Sequence, residues 1–466
     1  ITPNLHSGDA VTISWNVANT GNAPTASSFY DYVRVRNTTT GEWLYSNTLH
    51  HNAASQGSIA AGGNLARSVS FTLPNGTRGV GDLEVTVSTD WYNQVFEHNT
   101  SGTAESNNTA TTTVASTIGA YADLQVQNLG VTPSNFKSGD SVTVNWEVFN
   151  SGNASTSGSF YDLVTVVNQD TNETLVNTWV HYDQNSGGVI NSGDFRTRSY
   201  NFNLPQGTRG AGNLLITVNA DVGNYIFEFN SGGTGETNNS ASANVTSQMA
   251  PYPDLAVTDI QAPVSALAGR PSQISWTVSN LGNLTATGSW SEQVWLSTDD
   301  AIGGDQLLAT FWYTGNNLAA SGGNVTRTES VTLSSFATGS YRLVVRTDTG
   351  NALFETNEAN NVAIDDAAFD MGAALNLTLN TSQVAEQAGA NAATGTIVRS
   401  GSTSSALTVN LSSSHSDLVL PSSVVIPVGQ SSVSFTVGVT DNTLVDGNRN
   451  GSVTATATGF ADGAAS

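Results

Sequence analysis

The sequence predicts an all-β chain, a tandem array of antiparallel β-sandwiches of the immunoglobulin or fibronectin type. Three observations predict it. Residues 8–108 and 139–239 are two copies of one unit, 131 positions apart without an insertion. Apolar residues alternate at period two in segment after segment, and no stretch keeps a helical period with caps. Asn- and Gly-rich turns punctuate the segments. A repeat of this length is a whole domain rather than a solenoid turn or a propeller blade.

Each copy opens on a strand. Val11, Ile13, Trp15 and Val17 share one face of residues 10–17, as do Val142, Val144, Trp146 and Val148, and then Ile274, Trp276 and Val278. Such half-buried strands belong to antiparallel sheets, and a tryptophan in the middle of the apolar face reads as a core anchor. Turns that accept positive φ follow at Asn19-x-Gly21-Asn22, Asn150-x-Gly152-Asn153 and Asn280-x-Gly282-Asn283. Phe29-Tyr30-Asp31 returns as Phe160-Tyr161-Asp162, and later strands are read over 83–87, 214–218 and 341–345. Each copy ends on Phe-Glu-x-Asn, at Phe96, Phe227 and Phe354. The third copy is five residues shorter here, at the loop Ser231–Gly235, and loops tolerate such changes.

These boundaries give four modules: 1–116, lacking its first strand, 121–247, 252–366, and a different module over 373–466. The strand-like segment 122–129 has no counterpart before Ile1, and Gly459 to Gly463 reads as a turn with no following strand. Either the chain was cut there, or a neighbouring chain supplies the strands and the protein self-assembles by strand complementation. The former is preferred, because strand donation is a specialised mode.

Composition excludes several functions. The formal charge is −23, and Lys137 is the single lysine among 466 residues. Nucleic acid is excluded as a partner, because phosphate neutralisation needs a basic face. Carboxylates in excess suit divalent cations. There is no cysteine, and no apolar run near 18 residues that would span a membrane. A Thr-, Ser- and Asn-rich composition poor in Lys and Cys associates the chain with the outside of a bacterial cell.

The opening Asp-Leu-x-Val, the Gly-Asp-x-Val-x-Val-x-Trp strand, Asn-x-Gly-Asn and the closing Phe-Glu-x-Asn together resemble the bacterial CARDB module over about 1–116, 121–247 and 252–366. The resemblance implies immunoglobulin-like sandwiches with a cell-adhesion-related role. The last segment is similar to a Calx-β module through Val384-Ala-Glu386, Gly395 to Gly401, Leu407 to Leu411, Pro427-x-Gly429 and Val439 to Gly447. That resemblance implies calcium at Glu386, Asp441 and Asp446, although Asn442 stands where the family commonly has a second Asp.

The candidate sites are acidic-amide clusters that close each CARDB-like copy. Copy one offers Asp90, Glu97, Asn99, Glu105 and Asn107. Copy two offers Asp221, Glu228, Asn230, Glu236 and Asn238, and copy three Asp348, Glu355, Asn357, Glu358 and Asn360. Carboxylate and amide oxygens are what calcium prefers. The competing reading makes them turn caps and acceptors of backbone N–H groups. Asp299, Asp300 and Asp305 read as a solvated hairpin tip. No nucleophile elbow, zinc-protease motif or phosphate loop is present, so no enzyme is expected. Trp43 with Tyr45, Trp91 with Tyr92, and Trp312 with Tyr313 are candidate sugar-stacking pairs, but Trp43 aligns with Thr174 and Trp91 with Val222, which argues against a repeated site. The expectation is a non-catalytic structural or adhesive segment: a stalk, filament or sheath whose partners are neighbouring modules and a cell-surface or glycan ligand. A carbohydrate-binding accessory region of a secreted enzyme is the alternative.

Overall fold

The computed structural model describes residues 1–334, 338–441 and 447–466. It divides into two compact units, Ile1–Met249 and Ala250–Ser466. Among the described residues, apart from short helical turns, the regular structure is β-strand.

The first unit holds two sandwiches. In the first, strands β1 (Leu5–His6), β2 (Ala10–Ala18), β3 (Phe29–Asn37), β4 (Trp43–His51), β5 (Asn64–Thr72), β6 (Gly81–Ser88) and β7 (Thr109–Thr117) form a five-stranded sheet, ordered β1-β7-β6-β3-β4, and a β2-β5 pair. The second repeats the plan with β8 (Leu124–Thr132), β9 (Ser141–Asn150), β10 (Phe160–Asn168), β11 (Glu173–Tyr182), β12 (Phe195–Asn203), β13 (Gly212–Asn219) and β14 (Ser240–Ser247), as sheets β11-β10-β13-β14 and β12-β9-β8. Among the described residues β2 pairs with β5 alone, whereas β9 lies between β8 and β12.

Burial follows the period-two pattern. Along β9 the inward residues Val142, Val144, Trp146 and Val148 are buried while their neighbours are partly exposed. They meet Val164 and Val166 of β10 and Leu214, Ile216 and Val218 of β13 in one core. Truncating Trp146, 1% exposed, to Ala is expected to cost about 3–5 kcal/mol.

The second unit opens on a third sandwich of the same kind: β15 (Leu255–Gln261), β16 (Ser265–Leu267), β17 (Pro271–Asn280), β18 (Trp290–Ser297), β19 (Gln306–Tyr313), β20 (Gly323–Thr332), β21 (Gly339–Arg346), β22 (Val362–Ile364) and β23 (Phe369–Gly372). Here β17 lies between β15 and β20. The last sandwich comprises β24 (Leu375–Leu379), β25 (Ala393–Arg399), β26 (Leu407–Ser413), β27 (Leu418–Val419), β28 (Ser423–Ile426), β29 (Ser432–Val439), β30 (Val453–Thr456) and β31 (Gly463–Ala465), in sheets β24-β25-β29-β27 and β28-β26-β30-β31. The strand β31 corrects the sequence expectation that nothing follows the turn at Gly459. Gly463-Ala464-Ala465 pairs antiparallel with β30. Three small residues carry no apolar alternation from which a strand can be read.

Candidate functional site

The closing turn of each repeated module is built from its first aspartate. Asp90, Asp221 and Asp348 have φ of 43°, 47° and 40°, the left-handed conformation that non-glycine residues seldom adopt. A second left-handed residue follows three positions on, Asn93, Asn224 and Asn351. The aspartate side chain holds this turn. Asp90 accepts from the amides of Gln94 and Val95, both at 2.8 Å. Asp221 accepts from Tyr225 at 2.9 Å and Ile226 at 2.8 Å, and Asp348 from Ala352 at 2.8 Å and Leu353 at 2.9 Å. Both carboxylate oxygens are thereby occupied in all three copies.

The glutamate that follows ties the end of the module to its first strand. Glu228 accepts from the backbone amide of Leu124, more than a hundred residues upstream, and from Asn239 Nδ2 at 2.9 Å. Glu355 accepts from Leu255 N at 2.7 Å and from Asn361 Nδ2. A second glutamate braces the first: Glu236 accepts from Glu228 N at 2.7 Å, Glu358 from Glu355 N at 3.3 Å and Glu105 from Glu97 N at 2.9 Å. The amides complete the latch. Asn230 and Asn238 donate to Asp123 at 3.2 and 2.9 Å, and Asn360 donates to Asp254 at 2.9 Å. Asn357 accepts from Ala359 N, and Asn99 from Thr103 N, as local caps, while Asn107 is exposed.

Burial next to other carboxylates shifts these acids upward. Burial pushes Glu228 up to about 8, with Glu236 and Asp221 adding to it against the Leu124 N–H. Glu355 is pushed up to about 7 by burial, reinforced by Glu358 and Asp348 and opposed by Asn361 and Leu255 N–H. Asp221 is pushed up to about 6, again chiefly by burial. Glu97 is raised by burial and by Glu105 and Asp90.

As a metal site, the cluster is mixed. Among the described residues no group of three or more His, Cys, Asp or Glu is placed to hold a metal ion. Several oxygens are nonetheless buried without a hydrogen-bond partner: Glu236 Oε2, Asn238 Oδ1 and Asn239 Oδ1 in the second module, Asn360 Oδ1 and Asn361 Oδ1 in the third. Orphaned buried oxygens are the donor type calcium takes, so a shell at this place would draw on amide oxygens as well as carboxylates.

In the last module Glu386 lines a cavity of about 470 Å³ with His415, Asp417 and Arg449. Asp417 pairs with Arg449 at 2.7 Å. Asp441 is exposed and does not line the cavity, and Asp446 lies outside the described residues. The loop of Asp299, Asp300 and Asp305 is solvated, with Asp299 capping Ala301 N and Asp305 accepting from Gly303 N.

Sequence reasoning did not assign a buried acid in the core. Trp15, Trp146 and Trp276 donate their indole N–H to Asp31, Asp162 and Glu292 at 3.0, 3.0 and 2.8 Å. Arg67, Arg198 and Arg327 pair with the same carboxylates at 2.8, 2.9 and 3.2 Å. In the third copy Trp290 stands where the others have Phe29 and Phe160, and its extra N–H also donates to Glu292 at 3.0 Å. The longer acid thus accompanies the extra donor. The constant spacing of 16 residues from tryptophan to acid was the available signal.

Two expected sugar-stacking pairs do not form. Tyr45 points inward and stacks on Phe71, 4.6 Å between ring centres, away from exposed Trp43. Tyr313 stacks on buried Trp290 at 4.3 Å, while Trp312 is exposed. Adjacent strand residues face opposite sides, which sets Trp312 against such a pairing with Tyr313.

Fold and site together define a tandem array of immunoglobulin-like sandwiches, of which the three repeated ones each close on an acidic turn. The CARDB family profile matches residues 121–243 and 252–365, just over half of the 466 residues, and the chain belongs to the CARDB family. Among solved structures it is similar to the CARDB domain of a Pyrococcus furiosus protein, described as in complex with di-metal ions. That similarity has 22% identity and a TM-score of 0.20, over 26% of this chain and 94% of that one. It is also similar to red sea bream transglutaminase (12% identity, TM-score 0.20, 53% of this chain and 31% of that one). A third is native E. coli alpha-2-macroglobulin (12% identity, TM-score 0.25, 100% of this chain and 30% of that one). No curated protein sequence matches the chain.

Proposed function

We propose that the chain is a non-catalytic structural or adhesive segment of an extracellular bacterial protein, in which the first two sandwiches are joined stiffly. In this reading residues 1–116 are a third CARDB module and residues 373–466 a Calx-β module. The observation that carries it is Tyr121, between the first two sandwiches. Its hydroxyl donates to Ser7 O at 2.7 Å and accepts from Gly76 N at 3.0 Å, both in the first module. Its backbone amide donates to Asn153 Oδ1 in the second at 2.8 Å. Phe227, next to the latch glutamate, packs edge-on against the Tyr121 ring at 5.0 Å and closes over Gly76, where a Cβ would meet it at 3.1 Å. One residue therefore contacts both modules, and the ring that supports its side chain comes from the closing turn.

Calcium belongs to the same proposal. Glu228 and Glu236, with the orphaned oxygens of Asn238 and Asn239, are the residues that hold it in the second module. Its charge offsets the repulsion between those carboxylates and rigidifies the turn behind Phe227. Binding then expels the proton that Glu228, pushed up to about 8, retains at neutral pH. Calorimetric titration of the metal-free chain at pH 6.5 and 8.5 tests this. Tighter uptake at the higher pH, with proton release, is expected. No heat at either pH, and no change in melting on adding EDTA, rejects the calcium part and leaves the Tyr121 junction to be judged separately.

A further inference from the structure

The outer face of the first module's five-stranded sheet is unlike the rest of this acidic chain. Along β3 the outward residues are Tyr30, Tyr32, Arg34 and Arg36, a row roughly 20 Å long at strand rise. Trp91 packs on Tyr32 with ring centres 4.8 Å apart, and Tyr92 meets Tyr30 edge-on at 5.6 Å. The guanidinium of Arg34 lies 5.2 Å from the Trp43 ring centre and that of Arg36 lies 5.6 Å from it. Trp43, Trp91 and Tyr92 remain 51%, 44% and 58% exposed. Large rings left in water at that level and packed against one another form the kind of contiguous patch that marks a binding surface.

Charge narrows the ligand. Neither Arg34 nor Arg36 forms an ion pair with a described residue, although the chain carries −23 overall. Thr86 and Ser46 stand opposite Arg34 on the neighbouring strands, while Glu84 stands beside Arg36 and bounds the row. The surface combines flat rings, a hydroxyl border and a planar donor suited to a carboxylate.

The second module keeps the rings without the cations. Tyr161 and His181 stack at 4.6 Å, as Tyr30 and His50 do at 4.5 Å. Exposed Trp179 and Tyr225 flank Tyr161 at 5.9 and 5.8 Å, from positions where the first copy has Thr48 and Gln94. An aromatic patch therefore recurs in space although the alignment of Trp43 with Thr174 and Trp91 with Val222 does not show it. At the positions of Arg34 and Arg36 the second copy has Thr165 and Val167.

We propose that this face of the first module binds a polysaccharide containing carboxylated sugars, with Trp43, Trp91 and Tyr92 stacking on sugar rings and Arg34 taking a carboxylate. Trp91 and Tyr92 belong to the turn that Asp90 holds, but Arg34, Arg36 and Trp43 lie on β3 and β4. The patch uses neither the latch glutamates nor the Tyr121 joint, so the idea stands or falls apart from the array reading.

The test is affinity electrophoresis of the full chain, with EDTA present, through gels containing polygalacturonate, hydroxyethylcellulose or dextran sulfate. The expected result is strongest retardation by polygalacturonate. Trp43→Ala/Trp91→Ala should weaken it at least roughly tenfold, and Arg34→Gln/Arg36→Gln should remove the preference over the neutral polymer. Unchanged melting checks that these exposed substitutions leave the fold intact; if the tryptophan pair fails that check, the arginine pair decides. No retardation, equal retardation of parent and variants, or strongest retardation by dextran sulfate overturns the proposal. So does a self-associated chain that the tryptophan variant converts to monomer in sedimentation.

Discussion

Glu228 shows how one side chain can hold a module shut and set its pH response. Its pKa lies above that of an ordinary glutamate, at about 8, so the folded chain keeps a proton that the unfolded chain releases near 4.5. Stability from this group is full below about 4.5 and is lost as pH rises through about 8. Glu355 at about 7 and Asp221 at about 6 act in the same direction. In metal-free buffer, melting temperature is expected to fall between pH 5 and pH 8.5, and Glu228→Gln should flatten part of that slope. A rising curve across this range contradicts the assignment. Glu228→Ala leaves Leu124 N–H unpaired and is expected to cost about 1–3 kcal/mol in denaturant unfolding. The core acid is less forgiving: Asp162→Ala strands Arg198 and the Trp146 indole, with about 3–5 kcal/mol expected.

At the scale of an element, the closing turn carries the prediction. Asp221 sits at φ 47° and receives two successive amides, so Asp221→Ala loses both acceptors in a conformation Ala resists. Hydrogen exchange at Tyr225 and Ile226 should then accelerate markedly while the β9 and β10 amides stay protected. Unchanged exchange at those two amides refutes the capping role. Much of this was legible beforehand. Alternation located the tryptophan strands, and Asp90, Asp221 and Asp348 were visible as a repeated acidic position. Their partners were less legible. Leu124 lies 104 residues from Glu228, and no local pattern states that a glutamate will accept its amide. The tryptophan-to-acid spacing of 16 was visible but mute, because the turn between two strands sets it rather than a strand period. The second module's aromatic face escaped for a related reason: Trp179 and Tyr225 build it from other positions than those of Trp43 and Trp91, which alignment cannot detect.

At the scale of the whole molecule, the account turns on whether successive sandwiches are joined stiffly. Within the first unit, the Tyr121 hydroxyl, Ser7, Gly76 and Phe227 form the joint. The chain lacks cysteine, so Ser68→Cys and Ser199→Cys place one spin label at the same exposed position of each of the first two modules. Pulsed electron–electron distance measurement between those labels is the most direct test. A single narrow distribution that broadens in Tyr121→Ala is predicted. A broad distribution in the parent chain, or one that Tyr121→Ala leaves unchanged, contradicts the claim that these modules form a stiff row.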